Sequence, residues 1–290
     1  MSKDRELSVS RLVHAPREVV WEAWTNPEHV KQWWGPEGFT NTISKMDAVE
    51  NGEWDFVMHG PDGTDFKNKH TFIELKKPER IVLRHDTAPK FVMTAIFEAK
   101  EKQTLVTLRS EFESAGQLQQ AIEVFMADVG MQQHADRLQR YLGTMQGSRP
   151  LVVEKVYKAP PETVWTALTS NAEMKQWYFD IAAFKAEPGA AFTFNGQGRK
   201  GENYIHLCRI VEAIPGKKLS YSWQYKDYPG SSLVTFELLP DGKNTRLRLT
   251  HEGLDTFDSE NKDFARESFV EGWEYITGTS LKNFLEKKNN

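Results

Sequence analysis

Apolar and polar positions recur along the chain in one order, twice. Residues 7–13 (LSVSRLV) and 151–157 (LVVEKVY) are β-branched and partly alternating, the pattern of a half-buried strand. Each is followed by Ala-Pro, which ends the strand and opens a helix, because proline is tolerated at a first helical position. In the first copy Val20, Trp21 and Trp24 form an apolar stripe, and Asn26-Pro27 stops it. A second short helix carries Lys-Gln-Trp in both copies. Strands are then expected over 54–59, 68–75, 80–86, 92–99 and 104–112, and over 190–195, 203–213, 218–225, 233–239 and 245–252. Turn-forming segments such as GPDG (60–63), KKPER (76–80), IPGKK (214–218) and PDGKN (240–244) separate them. Both copies end in one long helix whose apolar residues cover more than one face: Ile122, Phe125, Met126, Val129, Met131, Leu138 and Leu142 in the first, Phe269, Trp273, Ile276, Leu281 and Leu285 in the second. Such a broad apolar surface suits a helix wrapped by a sheet. The order predicts an α+β fold, each repeat a curved antiparallel sheet around its last helix, with an apolar cavity between them.

The repetition is visible residue by residue. Segment 13–34 lies against 157–178 at an offset of 144, and ten of the 22 positions are identical, among them Ala15/Ala159, Pro16/Pro160, Trp21/Trp165 and Trp33/Trp177. GTMQGSRP (143–150) has the Gly, Ser and Pro of a linker, which places the domains at 1–146 and 147–290.

Within EHVKQWWGPEGF (28–39), Trp33 and Trp34 are adjacent, so on a helix their side chains point about 100° apart and one buried face cannot easily take both. Trp33 is matched by Trp177, and reads as core with Val30 three residues earlier. Trp34 is matched by Tyr178, a change of size and polarity expected at the wall or mouth of a cavity.

These segments resemble the helix-grip (START-like, SRPBCC) superfamily. More narrowly they are similar to the activator of Hsp90 ATPase homologue family, through VWEAWTNPEHVKQWWGPEGF, GEWDFVMHGPDGTDF, PERIVL and RLQRYL in the first repeat. The second repeat carries APPETVWTALTSNAEMKQWYF, PGKKLSYSW, TRLRLTHEG and Gly272-Trp273. It departs at NGQGRKG in place of HGPDG, and the first repeat departs at Val129-Gly130-Met131, where the family often shows Gly-Trp. No segment resembles the separate chaperone-contacting domain of the eukaryotic activator. The resemblance implies two tandem helix-grip domains and a cavity for a small hydrophobic ligand. Relatives in the superfamily include lipid carriers, hormone receptors and aromatase/cyclases. The expected function is non-catalytic binding of a small hydrophobic molecule in each repeat. The alternatives are an aromatase/cyclase-type enzyme, and a chaperone-interacting, self-associating or stress-response protein.

Composition narrows the field further. Aromatic residues make up 12% of the 290, with nine tryptophans, and large rings line cores and ligand cavities alike. Residues 1–146 carry 18 Lys and Arg against 22 Asp and Glu, and residues 147–290 carry 19 against 19, so neither half has the basic excess that nucleic-acid binding uses. No apolar run reaches the roughly 20 residues of a membrane span. The charged start, MSKDRELSVS, lacks the apolar core of a secretory signal, and Cys208 is the one cysteine, so the expectation is a cytoplasmic protein without an intramolecular disulfide.

Other motifs carry little chemistry. GQGRKG (196–201) matches a dinucleotide fingerprint literally, but a strand-like ENYIHL follows it instead of a helix, which makes it a hairpin loop. The eight histidines show no metal-ligand spacing, no nucleophile motif is present, and no metal or cofactor is expected. His70 and His206 fall in corresponding strands, one register apart when the following turns are aligned, facing either a cavity or solvent. His134 interrupts the apolar stripe of the first repeat's last helix, either as a satisfied core histidine or as a polar handle in the cavity. Gly130 beside it costs a helix about 1 kcal/mol relative to alanine, and offers room for a strand or a ligand. The candidate ligand-binding residues are Trp34, Trp54, Phe56, Met58, Phe72, Met131 and His134 in the first repeat, and Tyr178, Phe192, Phe194, Tyr221, Trp223 and Trp273 in the second.

Overall fold

A computed structural model describes residues 3–181 and 184–288. The chain separates into two compact units, the first ending at Gly147 and the second starting at Ser148.

In the first unit, strand β1 (Glu6–Val13) leads to helices α1 (Arg17–Thr25) and α2 (Pro27–Trp33). Strands β2 (Thr40–Met46), β3 (Glu53–His59), β4 (Asp65–Lys76), β5 (Arg80–His85), β6 (Phe91–Lys100) and β7 (Gln103–Phe112) follow, then α3 (Ala115–Phe125) and α4 (Ala127–Met145). The seven strands make one antiparallel sheet in the order β1-β7-β6-β5-β4-β3-β2. Alternate residues of β7, from Thr104 through Val106, Leu108 and Ser110 to Phe112, are buried, as a sheet with one covered face requires. Bulges between Ile43 and Lys45 and between Phe72 and Glu74 bend the sheet over α4, which buries His134, Ala135, Leu138 and Leu142.

The second unit repeats the plan with six strands. Its elements are β8 (Leu151–Tyr157), α5 (Pro161–Thr169), α6 (Asn171–Met174), β9 (Ala191–Gln197), β10 (Asn203–Ile214), β11 (Lys218–Tyr225), β12 (Ser232–Asp241) and β13 (Asn244–Glu252). The last helix runs as α7 (Arg266–Tyr275), a π-helical stretch Ile276–Leu281, and α8 (Lys282–Lys288). The sheet order is β8-β13-β12-β11-β10-β9. GQGRKG closes the β9–β10 hairpin, with Gly198 N–H donating to Glu202 O at 2.8 Å, so no helix start follows it.

The matched residues do matched work. Thr104 donates its hydroxyl to Ala15 O, and Thr245 to Ala159 O, both at 2.7 Å, which ties each Ala-Pro corner to the last strand of its own sheet, β7 or β13. Trp33 Nε1 donates to Ala23 O at 2.9 Å, and Trp177 Nε1 to Ala167 O at 3.0 Å, locking the Lys-Gln-Trp segment of each unit onto its first helix.

Three expectations need correction. In the second unit Lys175-Gln176-Trp177 lies in the turn after α6, which already ends at Met174, so only the first copy carries Lys-Gln-Trp on a helix. β2 was absent from the sequence reading because it is an edge strand with no fully buried residue, so it shows no apolar period. The long last helix of the first unit is two helices, broken at Met126, whose φ of 51° is left-handed. Among the described residues, no helix is long and apolar enough to cross a membrane.

Candidate functional site

The first unit encloses a cavity of about 460 Å³ between the inner face of its sheet, the loop after α2 and the helices α3 and α4. Trp34 stands in its wall because α2 stops one residue earlier. Trp33 is the last helical residue and is 0% exposed, whereas Trp34 has extended backbone (φ −65°, ψ 136°) and is 4% exposed, so the two adjacent rings diverge and both are buried. The loop that carries Trp34 is pinned from α4. Arg137 donates to the carbonyls of Gln32 (3.1 Å), Trp34 (3.1 Å), Gly35 (3.2 Å) and Pro36 (2.7 Å). Burial pulls that guanidinium down to about 10. Gly35 has a φ of +93°, where a side chain would be strained and a Cβ would lie 3.2 Å from Met58 Sδ.

Three imidazoles line the same cavity: His70 on β4, His85 on β5 and His134 on α4. His85 is fully engaged, Nδ1 with Pro89 O at 2.7 Å and Nε2 with Asn68 Oδ1 and Thr87 Oγ1, each at 2.9 Å. His134 takes the Gly35 N–H on Nδ1 at 3.3 Å, and its Nε2 has no partner. Neither nitrogen of His70 has one. Burial pulls His134 down to about 3, helped by the nearby Arg137 charge, and holds His70 well below its ordinary range, helped by His85 and His134. Both rings are therefore neutral at physiological pH.

Of the first repeat's candidates, Trp34, Phe56, Met58, Met131 and His134 line the cavity. Trp54 and Phe72 do not. They lie beneath it in the core, Trp54 stacked 4.6 Å from Phe56 and 6.4 Å from Phe72. Gly130 also lines the cavity, but a Cβ there would rest in ordinary contact 3.6 Å from Pro36 Cγ, so no close approach demands glycine.

In the second unit, larger side chains stand at two of the positions that line the first unit's cavity. Counted from the bulges at Phe72/Glu74 and Ile210/Glu212, His70 corresponds to Cys208 and His85 to Trp223. At the position of Met131, the aligned Gly-Trp pair supplies Trp273, and the Trp223 and Trp273 rings lie 5.6 Å apart. Tyr178, Phe192, Phe194 and Tyr221 pack together in this interior, with the Tyr178 and Tyr221 hydroxyls 3.1 Å apart. A smaller cavity of about 320 Å³ remains, lined by Trp223, Trp273, Phe179 and His206 and rimmed by Arg199, Asp263 and Glu271. Trp273 Nε1 donates to His251 Nδ1 at 2.9 Å, and the other His251 nitrogen meets Ser232 Oγ at 2.8 Å, so that buried histidine is satisfied. His206 stands two residues, not one, from the position matching His70, so both rings face inward and neither faces solvent. Cys208 is buried, which pushes its thiol well up and leaves it inert. Among the described residues, no group of three or more His, Cys, Asp and Glu side chains is placed to hold a metal ion.

Comparison with known proteins decides the family. The model of the family described as activator of Hsp90 ATPase homolog 1-like protein matches twice, over residues 14–143 and 158–286. The chain belongs to this family. No curated protein matches it. Among solved structures, the di-domain ARO/CYC BexL from the BE-7585A biosynthetic pathway is 12% identical, with a TM-score of 0.50 and 98% of each chain covered. Two helix-grip domains in tandem are thus a fold shared along almost the whole chain. A protein from Nitrosomonas europaea is 22% identical with a TM-score of 0.46, covering 51% of this chain and all 100% of its own. One from Arthrobacter aurescens is 24% identical with a TM-score of 0.47, covering 49% of this chain and 88% of its own.

For this family member, the sequence reading missed part of the site. Phe91, Met93 and Leu108 line the cavity from β6 and β7, and Phe125 closes it from α3. Apolar residues at alternate positions, Phe91, Met93, Ala95 and Phe97 on β6 and Val106, Leu108 and Phe112 on β7, were a usable signal for the first three. Phe125 had none, because its position depends on the helix break at Met126.

Proposed function

We propose that the first domain binds a small, largely apolar molecule in its cavity and does so without catalysis. The observation that carries this reading is the hollow itself: about 460 Å³ bounded by Trp34, Phe56, Met58 and Met131, where the second domain has Trp223 and Trp273 at the positions of His85 and Met131. A two-ring molecule that buries about 200 Å² there gains about 5 kcal/mol from the hydrophobic effect, before the cost of its lost freedom. Native mass spectrometry of the chain purified from its own host tests the reading. A co-purifying mass adduct, absent from Met131→Trp, supports it. An empty wild-type chain that also takes up no added apolar compound contradicts it.

One observation favours a second reading, an aromatase/cyclase-type enzyme. Two imidazoles with unpartnered ring nitrogens, His70 and His134, share one cavity, the residue type most often used for general acid–base chemistry. Ring closure of an oligoketide thioester by the wild-type chain, lost in His134→Phe, would favour catalysis. Binding of that compound without turnover favours the first reading.

A further inference from the structure

The cavity of the first domain contains polar groups with nothing to bond. Gly35 N–H donates to His134 Nδ1, so that nitrogen presents its lone pair, and the single proton of the neutral ring sits on Nε2. Nε2 is then a buried donor with no acceptor, in a side chain 8% exposed. His70, 2% exposed, holds one donor and one acceptor, both unused. The two rings flank Trp34, their centroids 4.3 Å (His134) and 5.6 Å (His70) from it. Buried polar groups are rarely left this way, and leaving them so is costly. The neighbours are already occupied: Arg137 with four backbone carbonyls, His85 with Pro89, Asn68 and Thr87.

We propose that the ligand of this cavity is an apolar molecule carrying one uncharged oxygen acceptor, a ketone or similar carbonyl, that receives the His134 Nε2 proton in a hydrogen bond. His70, on the same cavity, is free to donate to the same group. An uncharged acceptor fits because both imidazoles are neutral and the nearby cation, Arg137, is committed to four backbone carbonyls, so a buried carboxylate would gain no direct ion pair. The charged residues of the lining, Asp65 and Lys67, are exposed. This inference rests on the binding reading above and adds the chemistry of the ligand's polar end.

The test compares three probes of matched shape, acetylnaphthalene, ethylnaphthalene and naphthoate, by calorimetric titration of the full chain. The ketone is expected to bind the wild type about 5-fold more tightly than the ethyl compound, the size of one ordinary hydrogen bond. Naphthoate is expected to bind more weakly than the ketone. His134→Phe brings the ketone-to-ethyl ratio to about one while ethylnaphthalene still binds. His134→Gln, whose amide can accept from Gly35 and donate to the ligand, keeps the preference. Equal affinity of the wild type for ketone and ethyl compound overturns the carbonyl inference and leaves the binding reading standing. Failure of all three probes to bind overturns both. A ketone preference that survives in His134→Phe also overturns the assignment.

Discussion

Trp34 and His134 meet edge to face, ring centroids 4.3 Å apart with planes at 80°, while Trp33, 5.1 Å from the same imidazole, spends its N–H on Ala23 O. Neighbours in sequence thus hold opposite jobs, one fastening α2 to α1 and one lining the cavity. Trp33→Phe should lower the stability of the first domain by about 2–4 kcal/mol, through the lost bond and a void in a close-packed site. Trp34→Phe should cost less, because its ring borders a space that already exists, yet it should change the affinity for acetylnaphthalene. Urea denaturation followed by the indole NMR signals of the first domain, with a titration of each variant, checks both halves.

Arg140 and Glu37 form an ion pair with side chains almost wholly out of solvent. Removing one partner from such a pair leaves a buried charge uncompensated. Arg140→Met should therefore cost about 3–5 kcal/mol in urea denaturation. Adding Glu37→Gln to that variant should recover a large share, because the stranded charge goes with it. A double variant no more stable than the single one would show that the cost came from lost packing.

Acid should unfold the chain through its buried histidines. His134 and His251 are each pulled down to about 3 and His206 to about 4, mainly by burial, with His70 held well below its ordinary value. The unfolded chain takes up these protons as pH falls through about 6.5, whereas the folded chain stays neutral there. The unfolded state then binds more protons, so stability is complete above about pH 6.5 and is lost as pH falls toward the folded values. Each such histidine should remove about 1.4 kcal/mol per pH unit below that point. Urea midpoints measured between pH 7 and pH 5 should show a slope that His134→Gln reduces by one histidine's share.

The hollow of the first domain should close when it is given the second domain's side chain. Met131→Trp copies Trp273 into the corresponding place on α4 and should abolish ethylnaphthalene binding at a stability change within about 1–3 kcal/mol. Calorimetric titration with a parallel thermal unfolding scan separates a filled cavity from an unfolded domain.

The tandem plan was legible because the Ala-Pro corners and the Lys-Gln-Trp tryptophans make the same hydrogen bonds in both units, so the same residues recur. β2 was not, because an edge strand with nothing buried carries no apolar alternation. The helix break at Met126 was hidden inside a helix-like, mostly apolar stretch from Ile122 to Met131, where no glycine or asparagine marks the left-handed position itself. Trp54, Phe72, Phe192 and Phe194 are the kind of ring that lines cavities, and they are core. Core and cavity draw on the same side chains, so only the neighbours' sizes separate them. Two smaller residues, His85 and Met131, stand where the other unit has tryptophans, and that difference is spread over positions far apart in sequence.

The central claim is that the first domain's hollow is the binding site. An NMR titration of the full chain with ethylnaphthalene, following the Trp34 indole and the Met58 and Met131 methyl groups, tests it most directly. Saturable shifts at these three residues that vanish in Met131→Trp are the result expected. Unshifted signals at all three, or saturable shifts confined to Trp223 and Trp273, would contradict it.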